Sequence, residues 1–478
     1  MRLKRGSIQT LDITHMAFGG KGICKLQSEK GEYVVFVPNT IPGQKVLARV
    51  AKSKSSFSEC KLITVLEKSP DEVDVPFQSI SGAPYITLPI EKQKEYKKDT
   101  ALYLYKNIGK IEEIDSLFDE YIESPSVFHY RNKMEYAFST IRHNMETNQE
   151  EDDAFSLGFK HRGTWWKVED LDKDSGLFDE QLENELHNIR TYLYKTGLPA
   201  WHPPKKHGFF RYLVARKSFH QDKILLDLVT SSEGIENFNK NDFAVYLESV
   251  LGERLAGFIH TINDDVADRA KFDQGPSETI FREDTITENL LGLDFEISMQ
   301  SFFQTNPKCA EKLYTKVIDY VFENNDLSSG VVMDLFCGTG TIGQLIGSKL
   351  PNSKVIGVDI VESAIENAKK NALKNRVTNI DFYAADVGKF LVEYPQYQGE
   401  IDTIVLDPPR AGIAPKTLLK VIAIDAKRIV YVSCNPATQA RDITQLTEAG
   451  YSLKKMSLVD QFPHTSHVEA IAVFEKIV

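Results

Sequence analysis

At 478 residues, 42% apolar and 26% charged, the chain has the length of about three domains and the make-up of an ordinary folded protein. That excludes a disordered chain, a collagen-like fibre and, with only five scattered cysteines (Cys24, Cys60, Cys309, Cys337, Cys434) and no CxxC pair, a disulfide framework or a zinc ribbon. The net charge of −11 is uneven: residues 1–70 hold 12 basic and 5 acidic side chains, so a basic module sits on an acidic body, which suits a polyanion partner and equally a solvated basic face.

No apolar run approaches the ~18 residues of a membrane span, and no apolar segment follows the basic start MRLKRGSIQT as in a secretory signal. A cytoplasmic, reduced protein without a membrane partner is expected.

In chain order, residues 1–67 carry the short runs SIQTLDI, EYVVFVP, QKVLARVA and ECKLITVLE, separated by the turn-rich FGGKG, SEKGE and NTIPGQ. This pattern predicts a small β-barrel, which closes its own edges and can present a basic face. Residues 68–295 read as a central α+β domain. It has a charged helix at IEKQKEYKKDTALYLYKNIG and strands at HYRNKMEYAFST, LGFKHRGTWWKV, FFRYLVARKSF and DKILLDLVTS, the last two paired. Arg131, Lys133, Lys160, Arg162, Trp165 and Trp166 interleave bases with aromatics. Such a set either stacks bases and holds phosphates or forms an apolar core with snorkelling charges.

Residues 296–478 change character. The apolar runs VVMDLF, KVIGVDIV, IDFYAADV, IDTIVLDPP, RIVYVSC and EAIAVFEKI alternate with amphipathic helices, ESAIENAKKNALKN among them. The alternation predicts a doubly wound parallel sheet.

Within this sheet Gly338, Gly340 and Gly343 form GxGxxG after the first strand, and Asp359 ends the second strand. The pattern fits either a dinucleotide or S-adenosylmethionine, because both need backbone close to the ligand and a carboxylate on a ribose. Acids at successive strand ends favour S-adenosylmethionine: Asp334 ahead of the loop, Asp386 after the third strand and Asp407 in DPPR after the fourth. An α/β, Rossmann-like class I methyltransferase domain follows. Arg410 after Pro-Pro replaces the aromatic residue an exocyclic-amine methylase would use to stack its base. Cys434 ends the fifth strand beside Asn435-Pro436, at the edge where ligands bind; the other four cysteines read as small core residues.

The motifs SFFQTN, DLFCGTG, DPPRAG, VSCNPATQARD and FPHTSHVEAIAVF occur in the order seen in the RNA uracil-C5 methyltransferase family, which the chain resembles. The stretch with FGGKGI and VFVPNTIPGQKV resembles the OB-like TRAM domain. The resemblance implies a thiolate at Cys434 that adds to uracil C6, and Glu469 as the base that removes the C5 proton. By the same likeness Gln304, Phe336, Asp359, Asp386 and Asp407 line the S-adenosylmethionine site, with Asp359 standing where a Glu is common. Arg410, and less directly Arg131, would position a flipped nucleotide.

Relatives with a TRAM domain often hold an iron–sulfur cluster on C-x5-C-x2-C, and VPFQSISGAPYITLPIEKQ has no cysteine there. No cluster and no metal are expected, with apolar packing in their place. The implied product is 5-methyluridine in RNA, in 23S ribosomal RNA rather than a transfer RNA T-loop, made by a monomer. A non-catalytic RNA-binding assembly factor and a nicotinamide dehydrogenase are the alternatives from other classes.

Overall fold

The computed structural model of the chain describes residues 2–28, 31–270, 275–324, 327, 330–397 and 399–477. Glu29 and Lys30 of the expected SEKGE turn lie outside the described residues.

Alternation of buried and exposed residues along Gly31–Pro38 and Lys45–Ser53 folds the N-terminal segment into a sheet with one face inward. Residues Ile8–Ala17 act as one bent strand. Its first half pairs with Lys45–Ser53 and its second half with Lys21–Ser28. Phe57–Glu67 then joins Lys45–Ser53 to Gly31–Pro38, which closes the sheet around Val35, Val37, Val46 and Ala48. Closure leaves no open edge, as in an OB-like barrel.

The middle of the chain forms a nine-stranded sheet. Phe210–Ser218 and Lys223–Thr230 are antiparallel neighbours at its centre, as their sequence pattern predicted. Two helices, Glu180–Tyr194 and Lys240–Leu251, cover one face through Leu186, Ile189, Phe243 and Leu247. The cysteine-free stretch supplies Ile80, Ala83 and Ile86 to the same core. The basic and aromatic residues find separate partners. Lys133 pairs with Glu135, Lys160 with Asp268, and Trp165 is exposed, while Arg162 turns toward the other two domains.

Eight strands make the third sheet: β1 (Phe118–Ile122), β2 (Val331–Leu335), β3 (Lys354–Asp359), β4 (Ile380–Ala384), β5 (Thr403–Leu406), β6 (Arg428–Ser433), β7 (Tyr451–Val459) and β8 (Glu469–Lys476). Their order is β4-β3-β2-β5-β6-β8-β7-β1, with β8 antiparallel to both β6 and β7. β2, β5 and β6 are buried on both faces, which explains their unbroken apolar runs. The order reverses between β2 and β5, and a crevice opens there at the carboxyl ends of the strands.

Residues 90–122 fall within the range expected for the central domain, yet they pack on this third sheet. Helix α1 (Ile90–Asn107) lies against α5 (Pro436–Glu448), and β1 adds to the free edge of β7. The remaining helices that position the site are α2 (Pro307–Phe322), α3 (Thr341–Lys349) and α4 (Glu362–Lys374). Leu313 and Val317 of α2 share one core with Tyr212 and Val214 of the central sheet and Val430 of β6. The central and third sheets are thus joined by continuous packing.

Candidate active site

The loop after β2 is shaped by backbone that few residues adopt. Gly338 and Gly340 have φ of 53° and 70°, and Phe336 has φ of 63°. Such a conformation in a bulky residue costs of order 1–3 kcal/mol and marks a place where the surroundings dictate the chain path. Asp359 at the end of β3 braces the loop: Gly338 N–H donates to Oδ2 at 2.9 Å, and Val361 N–H to Oδ1 at 2.9 Å.

Beneath the loop lies a narrow cleft at the carboxyl end of β2. Gln304, Phe336 and Asp407, expected there from sequence, line it, together with Asp334. Asp359 stands behind the loop rather than in the cleft wall. Asp386 is exposed and accepts the Lys389 N–H at 3.0 Å as the N-cap of Val387–Glu393.

Two carboxyls, those of buried Asp334 and partly buried Asp407, line the cleft. Asp334 Oδ2 accepts the Gly343 N–H at 2.8 Å, and its Oδ1 is buried with no hydrogen-bond partner among the described residues. Burial pushes the Asp334 carboxyl up to about 8, with the charges of Asp407 and Asp359 adding to the rise; burial takes Asp407 up to about 7. Tyr314 of α2 also lines the cleft. Its phenol is held neutral by burial and by the facing carboxyls of Asp407, Glu469 and Asp334. The sequence pattern gave Tyr314 no distinction, because its place in α2 follows the spacing of core residues. Phe302, also on the wall, stands two residues before Gln304 in SFFQTN and is exposed.

This arrangement suits a cationic adenosyl donor. An unmet buried acceptor faces the cleft, and neighbouring carboxyls gain by ionising beside a positive charge.

At the same sheet edge the β6–β8 register pairs Ser433 with Ala470, and one residue further sets Cys434 opposite Glu469. The Cys434 thiol is pushed up to about 12, by burial first and then by Glu469, against the opposing pull of the Arg410 guanidinium. Glu469 is 2% exposed and has no hydrogen-bond partner for Oε2 among the described residues. Burial raises its carboxyl to about 8, Asp407 adds to this and Arg410 opposes it. The Arg410 backbone carbonyl accepts from Asn435 Nδ2 at 3.1 Å, which ties the DPPR turn to the Cys434 turn. Arg131 lies nearby, its guanidinium 5.8 Å from the centre of the Phe462 ring.

The segment between β7 and β8 that delivers Glu469 is held from outside. Lys97 Nζ donates to Asp460 Oδ1 at 2.7 Å and to Phe462 O at 2.9 Å. Tyr130 Oη donates to Pro463 O at 2.9 Å, and His464 N–H donates to Gln93 Oε1 at 2.8 Å. Gln461 Nε2 reaches Asn306 O at 3.1 Å and Gln304 Oε1 at 3.5 Å, linking the Glu469 segment to the cleft wall. None of these holding residues carried a catalytic signal in the sequence.

A parallel sheet with one reversed strand set between parallel ones, a glycine loop over an acidic cleft, and a thiol beside a buried carboxyl define a Rossmann-like, S-adenosylmethionine-dependent methyltransferase. Comparison with known proteins takes this further. Residues 274–477 match the tRNA (uracil-5-)-methyltransferase family and residues 2–63 the TRAM domain. An RNA methyltransferase of Clostridium tetani is 37% identical over 98% of both chains, and one of Clostridium acetobutylicum 37% identical over 99% of both. The solved structure of the Pyrococcus abyssi tRNA (uracil-54, C5)-methyltransferase with S-adenosyl-L-homocysteine superposes with a TM-score of 0.70 at 25% identity, covering 98% of this chain and 100% of that one. The chain belongs to the TRAM-containing RNA uracil-5-methyltransferase family and is an S-adenosylmethionine-dependent RNA methyltransferase.

Proposed function

We propose that the chain forms 5-methyluridine in large-subunit ribosomal RNA through a covalent Cys434 adduct. The observation that carries this reading is the closeness of Cys434, one residue past the end of β6, to Glu469 at the start of β8, where the Glu469 charge acts on the thiol beside the cleft. Gln304, Phe336 and Asp407, with Asp334, would hold the methionyl end of the donor, while Asp359 acts through the glycine loop it braces and Asp386 lies outside the cleft wall. Bound there, S-adenosylmethionine supplies an electrophilic methyl group.

Uracil C5 is too weak a nucleophile by itself. Cys434 Sγ bonds to C6, and the C5=C6 electron pair becomes an enolate that reaches through C4 to O4. C5 would then bond to the donor's methyl carbon as the carbon–sulfonium bond breaks, its electron pair passing to sulfur and S-adenosylhomocysteine leaving. The Glu469 carboxylate takes the C5 proton, the C5–H electrons rebuild C5=C6, and the C6–S pair returns to sulfur. Arg410 lies on the thiolate side and favours the charged sulfur. A uridine inside folded RNA must be splayed out to reach this edge, with Arg410 and Arg131 as its cationic guides.

Transfer RNA is the second reading, supported by the likeness to the Pyrococcus enzyme over the whole chain, barrel included. Radiolabel transfer from methyl-labelled S-adenosylmethionine to unmodified ribosomal and transfer RNA, with nucleoside analysis, tests both. Label in 5-methyluridine is expected, and the RNA that carries it decides the substrate. With 5-fluorouridine at the target, the fluorine cannot leave as a proton does, so an adduct that survives denaturing gels is expected and Cys434→Ala should abolish it. Normal turnover by Cys434→Ala would overturn the mechanism.

A further inference from the structure

Oε2 of the buried Glu469 carboxyl has no hydrogen-bond partner among the described residues to hold it in direction. Its direction therefore depends on what holds the segment before it. Ser466, three residues upstream, is where all three domains meet.

The Arg162 side chain comes from the central domain, and its backbone N–H donates to Ser81 Oγ at 2.7 Å. Nη2 donates to Ser466 Oγ at 3.3 Å and to Gly19 O in the barrel at 2.7 Å, while Nη1 donates to Asn39 Oδ1, also in the barrel, at 3.3 Å. One planar fork thus binds the barrel and the base-bearing segment together, a geometry that suits Arg and not Lys. The barrel also touches the segment directly. Gly20 is buried with φ of 75°, and a Cβ there would lie 2.7 Å from Ser466 Cβ. Phe18 of the same FGG turn packs against the core of the third sheet.

We infer that Arg162 is a positioning residue that seats the barrel turn Phe18–Gly20 against Ser466 and thereby fixes Glu469 for removal of the C5 proton. This rests on the reading of Glu469 as the base. The barrel then does more than attract RNA: its seating sets the step that resolves the covalent adduct. Because a displacement of ~1 Å in a catalytic group costs on the order of 10²-fold in rate, a loosened segment should slow this step well before it affects the fold.

The experiment is single-turnover methylation of uridine RNA by the full chain, following both methylated product and denaturant-resistant adduct. Glu469→Gln serves as the reference and should accumulate adduct; if it does not, the assignment of the base fails, whatever the Arg162 variants do. Given that reference, Arg162→Ala should resolve adduct about tenfold or more slowly and accumulate it, with the half-saturating S-adenosylmethionine concentration unchanged, and Arg162→Lys should restore only part of the rate. Ser466→Ala removes a single hydroxyl and Gly20→Ala adds a methyl at the contact. Both should show the same split, and Ser466→Ala, which adds no strain, guards against misfolding of Arg162→Ala and of Gly20→Ala. Wild-type resolution in Ser466→Ala and Gly20→Ala, or equal loss of adduct and product in the folded variants, would overturn the inference.

Discussion

Cys434 stands opposite Glu469 because β8 runs antiparallel to β6 in the register that pairs Ser433 with Ala470. In the proposed mechanism, the nucleophile that attacks one carbon of a flat ring and the base that takes a proton from the next are thereby delivered from the end of one strand and the start of its neighbour. Strand pairing holds such positions more tightly than a pair of mobile loops would.

The pH dependence follows from the burial of Glu469. Its carboxyl sits up at about 8 and must be ionised to accept a proton, so resolution of the adduct should rise with pH through about 8 and fall below it. Arg410 opposes that rise, and Arg410→Met should move the limb to higher pH. A single-turnover pH profile checks both; a flat profile from pH 6 to 9 would contradict the argument.

Lys97 and Asp460 form an ion pair 2.7 Å long, with side chains 1% and 4% exposed. Removing one partner leaves a buried charge uncompensated, so Lys97→Met should cost about 3–5 kcal/mol of stability in denaturant unfolding. The double change Lys97→Met with Asp460→Leu should recover most of that. Turnover should stay low in the double variant, because Phe462 O loses its donor in either case.

Asp334 and Asp407 are raised acids in the folded protein, so the folded state holds protons that the unfolded chain has already released. Stability from such groups is full below the ordinary carboxylate range and falls as pH rises toward about 8. Thermal unfolding of the cofactor-free protein from pH 5 to 8 should show this decline, and it should be shallower in Asp334→Asn. The same variant should bind S-adenosylmethionine about tenfold or more weakly by calorimetry, since a charge-assisted contact contributes roughly 1.5–3 kcal/mol.

Gly340 combines φ of 70° with a space filled by the Phe382 ring. Gly340→Ala should therefore lower the thermal midpoint by strain and overpacking, each of order 1–3 kcal/mol. S-adenosylmethionine should then restore less of the midpoint than it does in the wild type, because the same loop roofs the cleft.

Much of this architecture is legible in the sequence where burial imposes a repeating pattern. β2, β5 and β6 are covered on both faces, so they read as continuous apolar runs, and the acids at their ends stand out against them. Asp334 and Asp407 were recognisable for that reason. Helix α1 is the opposite case. Its buried face includes Gln93, Lys97 and Tyr105, spaced four and eight residues apart, and their partners Asp460, His464 and Gln439 lie more than 300 residues away. A polar stripe looks solvated until its partners are known. The charged strand β1 gave no sign that it would extend the third sheet, since an edge strand needs little apolar surface.

The sequence by itself determined the doubly wound sheet, the glycine loop and the barrel, because local spacing carries that information; Cys434 stood out by its strand-end position, and Glu469 only through the family resemblance. The tertiary structure decided which acids face the cleft, that Asp359 braces the loop from behind and that Asp386 caps a helix. It also decided that Arg162, one of several basic residues in an aromatic run, binds three domains at one point. These outcomes depend on contacts between segments far apart in the chain, whose geometry exists only once the sheets have packed.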